Sequence, residues 1–177
     1  MAIRPEPGCE PLDCFNNVRR KVEGCGGSIR YGWSIWEWPN VYIEAEHHAV
    51  YEDADGRLVD LTPPADTWTP NRTFLPDSSA VYDFDNEGVR RDNHRLALAD
   101  DPQIEAFLGT ARAFNREMSK IPGVGEVSVD LETARKLQAI QSENARLLYG
   151  LLMKYTPQGA SCFCGSGQKF KRCHGRG

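Results

Sequence analysis

Hydrophobic and polar positions change period along this 177-residue chain, and the change divides it. Over 102–121, Ile104, Phe107, Ala111, Phe114, Met118 and Ile121 recur at spacings of three and four, which makes one apolar helical stripe. Asp101 supplies a cap before it, and Pro102 sits at the first helical position, where a missing amide hydrogen costs nothing. The loop "PGVGEVSVD" ends that helix. A second begins after Asp130, with Leu137, Ile140, Asn144, Leu147 and Leu151 along one seam. Two such stripes joined by a short loop predict an antiparallel helical hairpin.

Before residue 93 the pattern is mostly that of strands. "CFNNVRRKVEG" predicts a short helix, with Asp13 or a neighbour as cap, Phe15, Val18 and Val22 on one side, and Gly24 closing it. "IRYGWSIWEW" and "VYIEAEHHAVYE" are rich in aromatic and β-branched residues and predict two strands. "DADG" then marks a turn, and "RLVDLTP" a third strand stopped by its proline. If Ala54, Asp55 and Gly56 form a three-residue loop with glycine in the left-handed position, Asp53 faces Arg57. Val50 is then opposite Asp60 and His48 opposite Thr62, so His48 and Asp60 become diagonal neighbours on one face. His47 points the other way, and Glu44 and Glu46 share the side of His48. From Pro63 to Asp92, proline, aspartate and serine predict a long connection with one edge strand at "RTFL".

Composition narrows the class. With 40% hydrophobic and 26% charged residues the chain has enough apolar material for a core. A net charge of −4 argues against a nucleic-acid binder, and specific DNA recognition is not expected. The charge is uneven, however: residues 156–177 contain no acid and carry Lys169, Lys171, Arg172 and Arg176. The N-terminus has no apolar leader and no segment has the length of a bilayer span, so the expected setting is the cytoplasm, away from membranes. Six cysteines in a reducing compartment read as ligands or nucleophiles.

Three of them close the chain. Cys162, Cys164, Cys173 and His174 are the ligand set of a closed structural zinc site, which leaves no position for water and therefore builds structure. Gly165 and Gly167 give the knuckle its backbone freedom. So short a segment has little core, and one zinc ion has to supply its folding free energy. "CFCGSGQKFKRCHG" closely resembles the SEC-C motif, found at the end of the translocation ATPase SecA and of many unrelated bacterial proteins. That resemblance implies zinc binding and a protein partner for the basic tail, with ribosome or chaperone contact as in SecA.

The other three cysteines lie near the start. Cys9, Cys14 and Cys25 with His47 or His48 fit no familiar metal knuckle. Cys14, however, opens the first helix, where the dipole and exposed amides favour a thiolate. Set against the hairpin, Cys14, His48 and Asp60 would be nucleophile, base and orienter, with the Cys14 amide contributing to an oxyanion hole. Trp33, Trp36 and Trp38 would be core or groove walls. The order Cys, His, Asp over residues 12–63 resembles the papain-like superfamily in its transglutaminase-like and NlpC-type branches. "HAVYEDADGRLVDLTP" carries that resemblance, although no tryptophan follows Cys14 and Val50 stands where an aromatic is usual.

The expected fold is therefore α+β. It comprises a small papain-like domain of helix plus antiparallel sheet over 1–92, a helical hairpin over 93–157 and a SEC-C zinc knuckle over 158–177. The expected function is a cysteine hydrolase or acyltransferase acting on an amide, isopeptide or thioester bond, with the zinc module as a docking element. The alternative is a non-catalytic SEC-C adaptor for ribosome, translocation or chaperone components.

Overall fold

A computed structural model describes residues 1–64, 71–86, 91–121 and 128–176. They form three α-helices, α1 (Cys14–Cys25), α2 (Pro102–Met118) and α3 (Leu131–Tyr155). Five strands, β1 (Ser28–Trp38), β2 (Tyr42–Glu52), β3 (Leu58–Val59), β4 (Thr73–Pro76) and β5 (His94–Ala97), make one sheet in the order β3–β2–β1–β4, with β5 also pairing with β2. The architecture is α+β. The described residues group into two compact units, one of 1–37, 43–64, 71–86 and 91–95, the other of 38–42, 96–121 and 128–176. The expected loop at 122–127 and parts of the expected 63–92 connection lie outside the described residues.

In the first unit, the hairpin turn forms as its residues dictate. Gly56 takes φ +79°, the left-handed region open to glycine, while the Asp53 amide donates to the Arg57 carbonyl at 3.0 Å. The ladder then pairs Glu52 with Leu58 and Tyr51 with Val59, in the expected register. The third strand is much shorter than "RLVDLTP" suggests. After Val59 the backbone turns to a different partner: Asp60 forms a parallel bridge with Ile3, and the Arg4 amide donates to the Asp60 carbonyl at 2.8 Å. The pairs Val50–Asp60 and His48–Thr62 are thus not part of the ladder.

The β4 edge strand pairs antiparallel with β1, Ser34 opposite Phe74 and Gly32 opposite Pro76. A Cβ at Gly32 would run into the Leu75 carbonyl, so this close approach needs glycine. β5 is the strand that the sequence pattern did not predict; its four residues, "HRLA", have no β-branched member. α1 differs at both ends from expectation. The Asp13 side chain makes no capping bond, its carboxylate accepting instead from Asn16 Nδ2 at 2.8 Å. The helix passes Gly24 and stops at Gly26, whose φ of +75° ends it. Val18, Ala49, Val50 and Leu61 are buried in this unit.

In the second unit, α2 and α3 start at the predicted caps. Asp101 accepts from the Gln103 amide at 3.0 Å and Asp130 from the Thr133 amide at 2.8 Å. The helices pair in opposite senses: Asp101 meets Lys154, Asn144 donates to Thr110 at 2.7 Å, and Lys136 meets Glu117. Ile104, Leu108 and Leu151 are fully buried with Val41, and Trp38, Tyr42 and Tyr155 pack around them. Burying each aliphatic side chain is worth about 1.5–3 kcal/mol, and the seam of α3 points its Leu147 and Leu151 inward as predicted.

Candidate functional site

Cys14 is the first residue of α1 and 7% exposed. Its thiol lies near enough to the His48 ring to act on that ring's titration. On β2, His48 places Nε2 3.1 Å from Asp60 Oδ2. Asp60, which follows β3, is fully buried and well supplied with donors. Its Oδ1 accepts from the Thr62 amide at 3.0 Å, and its Oδ2 also accepts from Arg72 Nε at 2.8 Å. The three side chains named from sequence thus lie in one neighbourhood, the imidazole bonded to the carboxylate and the sulfur near the ring.

The electrostatics follow from those contacts. Burial opposes a charged imidazole, but the hydrogen bonds to Asp60 and Cys14 outweigh it and raise the His48 pKa from 6.5 to about 9. Burial likewise pushes the Asp60 carboxyl up, yet His48, Arg72 and the Thr62 amide hold it below the ordinary carboxylate range. His47 keeps other company. Its Nε2 lies 2.6 Å from the Ala80 carbonyl and its ring 4.8 Å from Phe15, and burial pushes its pKa down. Glu44 accepts from Asn93 and Arg95, and Glu46 from Trp36, so each has a partner of its own. Trp33 is a core residue that donates to Asp77 at 2.9 Å, Trp36 is exposed and Trp38 packs on Val41.

Two residues of this cluster escaped the sequence reading. Asn17, buried one turn into α1, donates to Thr62 Oγ1 at 3.2 Å and to the Glu10 carbonyl at 2.8 Å, and so ties the helix to the segment after β3 that carries Asp60. Arg72 bonds Asp60 and lies against the His48 ring. The alternation of the edge strand would have put Arg72 and Phe74 on one side; only the β1–β4 register says which side.

At the chain's end, four ligand atoms from Cys162, Cys164, Cys173 and His174 lie within 4.8 Å of one another, the one such grouping of these residue types among the described residues. Cys9 and Cys25 line a separate cleft with Lys21 and Arg20 and join no metal cluster there. His174 Nδ1 lies 3.3 Å from both Cys162 and Cys173 sulfurs, with 3.5 Å from Cys162 to Cys164 and 3.6 Å from Cys164 to Cys173. Bonds of about 2.3 Å to sulfur and about 2.0 Å to nitrogen put the edges of a zinc tetrahedron near 3.5–3.8 Å. The four donors fit one structural zinc ion. Hydrogen bonds from the Ser166 side chain and amide hold the Cys164 thiol down to about 6, toward the thiolate that a metal requires.

Comparison with protein families agrees. Residues 160–176 match the SEC-C motif. No curated protein and no solved structure matches the chain. The SEC-C segment builds its knuckle from a bridge between Ser161 and Lys169, a donation from the Cys162 amide to the Gln168 carbonyl at 2.8 Å, and a short 3-10 turn, Phe170–Arg172. Phe170 is its one large buried side chain. Phe163 lies 4.9 Å from the His174 ring and meets Tyr149 of α3 edge-on at 5.8 Å, so the SEC-C module rests on the second helix of its own unit.

Proposed function

We propose that the first unit is a small papain-like cysteine hydrolase or acyltransferase, with Cys14 as nucleophile, His48 as base and Asp60 as orienter. One observation carries this reading: a single imidazole is bonded to a buried carboxylate and has a helix-opening thiol beside it. The substrate bond is an amide, isopeptide or thioester. The thiol proton passes first to His48, whose raised pKa favours the transfer, and the Cys14 sulfur then attacks the carbonyl carbon while the carbonyl electron pair moves to oxygen. The Cys14 amide, at the helix start and without a helical acceptor, is a donor for that oxygen. Collapse expels the amine or thiol with the proton from His48. Water, deprotonated by His48, then attacks the thioester, releases the acid and restores the thiol; a second amine in place of water gives acyl transfer. Asp60 fixes which ring nitrogen carries the proton.

The zinc ion takes no part in this chemistry. Its four protein ligands close its coordination, and its role is to hold residues 160–176 in shape. The helical hairpin carries that module, and the proposed setting is a reducing compartment such as the cytoplasm, where thiols persist.

A vinyl-sulfone probe applied near neutral pH, with peptide mapping by mass spectrometry, tests the reading. Cys14 is expected to label ahead of the exposed Cys25, and His48→Ala to cut Cys14 labelling by about a hundredfold. Equal labelling of both thiols, unaffected by His48→Ala, would sink it. The second reading, a non-catalytic adaptor, is favoured by the exposed cations Lys169, Lys171, Arg172 and Arg176 of the SEC-C segment, which offer a docking surface to a protein or ribosomal partner.

A further inference from the structure

Arg72 is a largely buried cation of the first unit with hydrogen-bond donors left over. Its side chain is 10% exposed, and its Nε donates to Asp60. Its Nη1 lies 3.2 Å from Nε2 and 3.4 Å from Nδ1 of His48. Those two ring nitrogens flank Cε1, so an atom so near to both would collide with Cε1 if it lay in the ring plane. Nη1 therefore sits over the face of the imidazole, where no lone pair points. The Trp36 ring, 5.9 Å from the guanidinium carbon, offers a π face and no acceptor atom. Of five N–H donors, one has a proper acceptor among the described residues.

A second group is open on the same face of the sheet. Ser34 Oγ is buried and has no hydrogen-bond partner among the described residues. Ser34 stands opposite Phe74, and directly opposed residues project to the same face. The Phe74 ring in turn meets the His48 ring, with centroids 6.4 Å apart. Leaving a buried donor unmatched is costly, so such a group awaits an acceptor.

We propose that Arg72 anchors a carboxylate of the substrate beside the Cys14 thiol, which makes the acyl donor an anionic molecule. This rests on the acyl-transfer reading above. The guanidinium fork matches a carboxylate in two parallel hydrogen bonds, and the partial burial that leaves Arg72 short of acceptors also strengthens such a pair. Ser34 supplies a hydroxyl donor on the same side.

Iodoacetate and iodoacetamide test this directly, because they differ in carboxylate against amide while both lose iodide to the thiolate. The full-length, zinc-loaded chain is alkylated and each cysteine followed by peptide mass mapping. The ratio of iodoacetate to iodoacetamide rate at Cys14 is expected to exceed that at Cys25 by about tenfold. Arg72→Gln should lower the Cys14 ratio about fivefold or more, and Arg72→Lys, which keeps the charge and loses the fork, should recover less than half of the difference. A ratio unmoved by Arg72→Gln overturns the carboxylate anchor and leaves the thiol–imidazole reading standing. Failure of Cys14 in the native chain to react with either reagent overturns that reading and the anchor with it. If Arg72→Gln does not fold, the native chain decides: succinate is expected to slow iodoacetamide at Cys14 and not at Cys25, and absence of protection rejects the anchor.

Discussion

At the scale of single residues, His48 sits between two opposed influences. Burial resists its charge, while the Asp60 carboxylate and the Cys14 sulfur favour it, and the second influence wins by enough to bring its pKa to about 9. The consequence for stability has a definite sign. A histidine whose folded pKa is raised binds its proton more tightly in the native state, so its contribution is complete below its ordinary value of 6.5 and is lost as pH climbs through about 9. Asp60, with a lowered pKa, contributes above its ordinary 3.8 and loses that contribution as pH falls below it. Stability of the first unit measured by urea unfolding should therefore be level from about pH 4 to 6.5 and decline toward pH 9. In Asp60→Asn the alkaline decline should weaken and move to lower pH. A native chain whose stability rises between pH 7 and 9 would contradict this.

Among the elements, the sheet's edge depends on one absent side chain. β4 approaches β1 so closely at Gly32 that a methyl group there would strike the Leu75 carbonyl and the Phe74 ring. Gly32→Ala is therefore expected to loosen β4 and to destabilise the first unit by about 1–3 kcal/mol, the usual cost of overpacking. Since Phe74 and Arg72 reach His48 from this edge, faster hydrogen exchange at Phe74 should accompany the loss. Wild-type exchange and stability in the variant would show that the pairing tolerates a Cβ. The elements also show where local sequence suffices. The Ala54–Gly56 loop sets its own register through the positive φ of Gly56, and Asp101 and Asp130 cap their helices with side-chain bonds to nearby amides. These are interactions over two to four residues. The stop of β3 at Val59 is different in kind, because the competing partner, residues 2–4, is more than fifty residues away in sequence.

For the molecule as a whole, two sources of order act in two places. The sheet and helices bury aliphatic and aromatic side chains, whereas residues 160–176 bury one large apolar side chain, Phe170. Structural zinc supplies on the order of 10 kcal/mol to so small a unit. Chelation should thus melt the SEC-C segment, seen as loss of dispersion of the Phe163, Phe170 and His174 signals in NMR, while amides of α1 and the sheet keep their protection. Metal analysis should give one zinc per chain and none for Cys173→Ser. A second zinc that survives removal of 160–177 would point to the remaining cysteines and undo the assignment of Cys14.

The sequence by itself determined what depends on neighbours along the chain: the helical stripes, their caps, the hairpin turn and the four zinc ligands, three of which lie within thirteen residues of the fourth. It also set His48 and Asp60 on one face, because turn chemistry fixed the parity of β2 against the residues after it. Tertiary structure alone decided that Asp60 leaves the ladder to pair with Ile3, that Asn17 ties α1 to Thr62, and that Arg72 comes over the imidazole. Each of those depends on which of several backbone edges wins a distant partner, and that competition is settled by packing and loop closure across the whole unit.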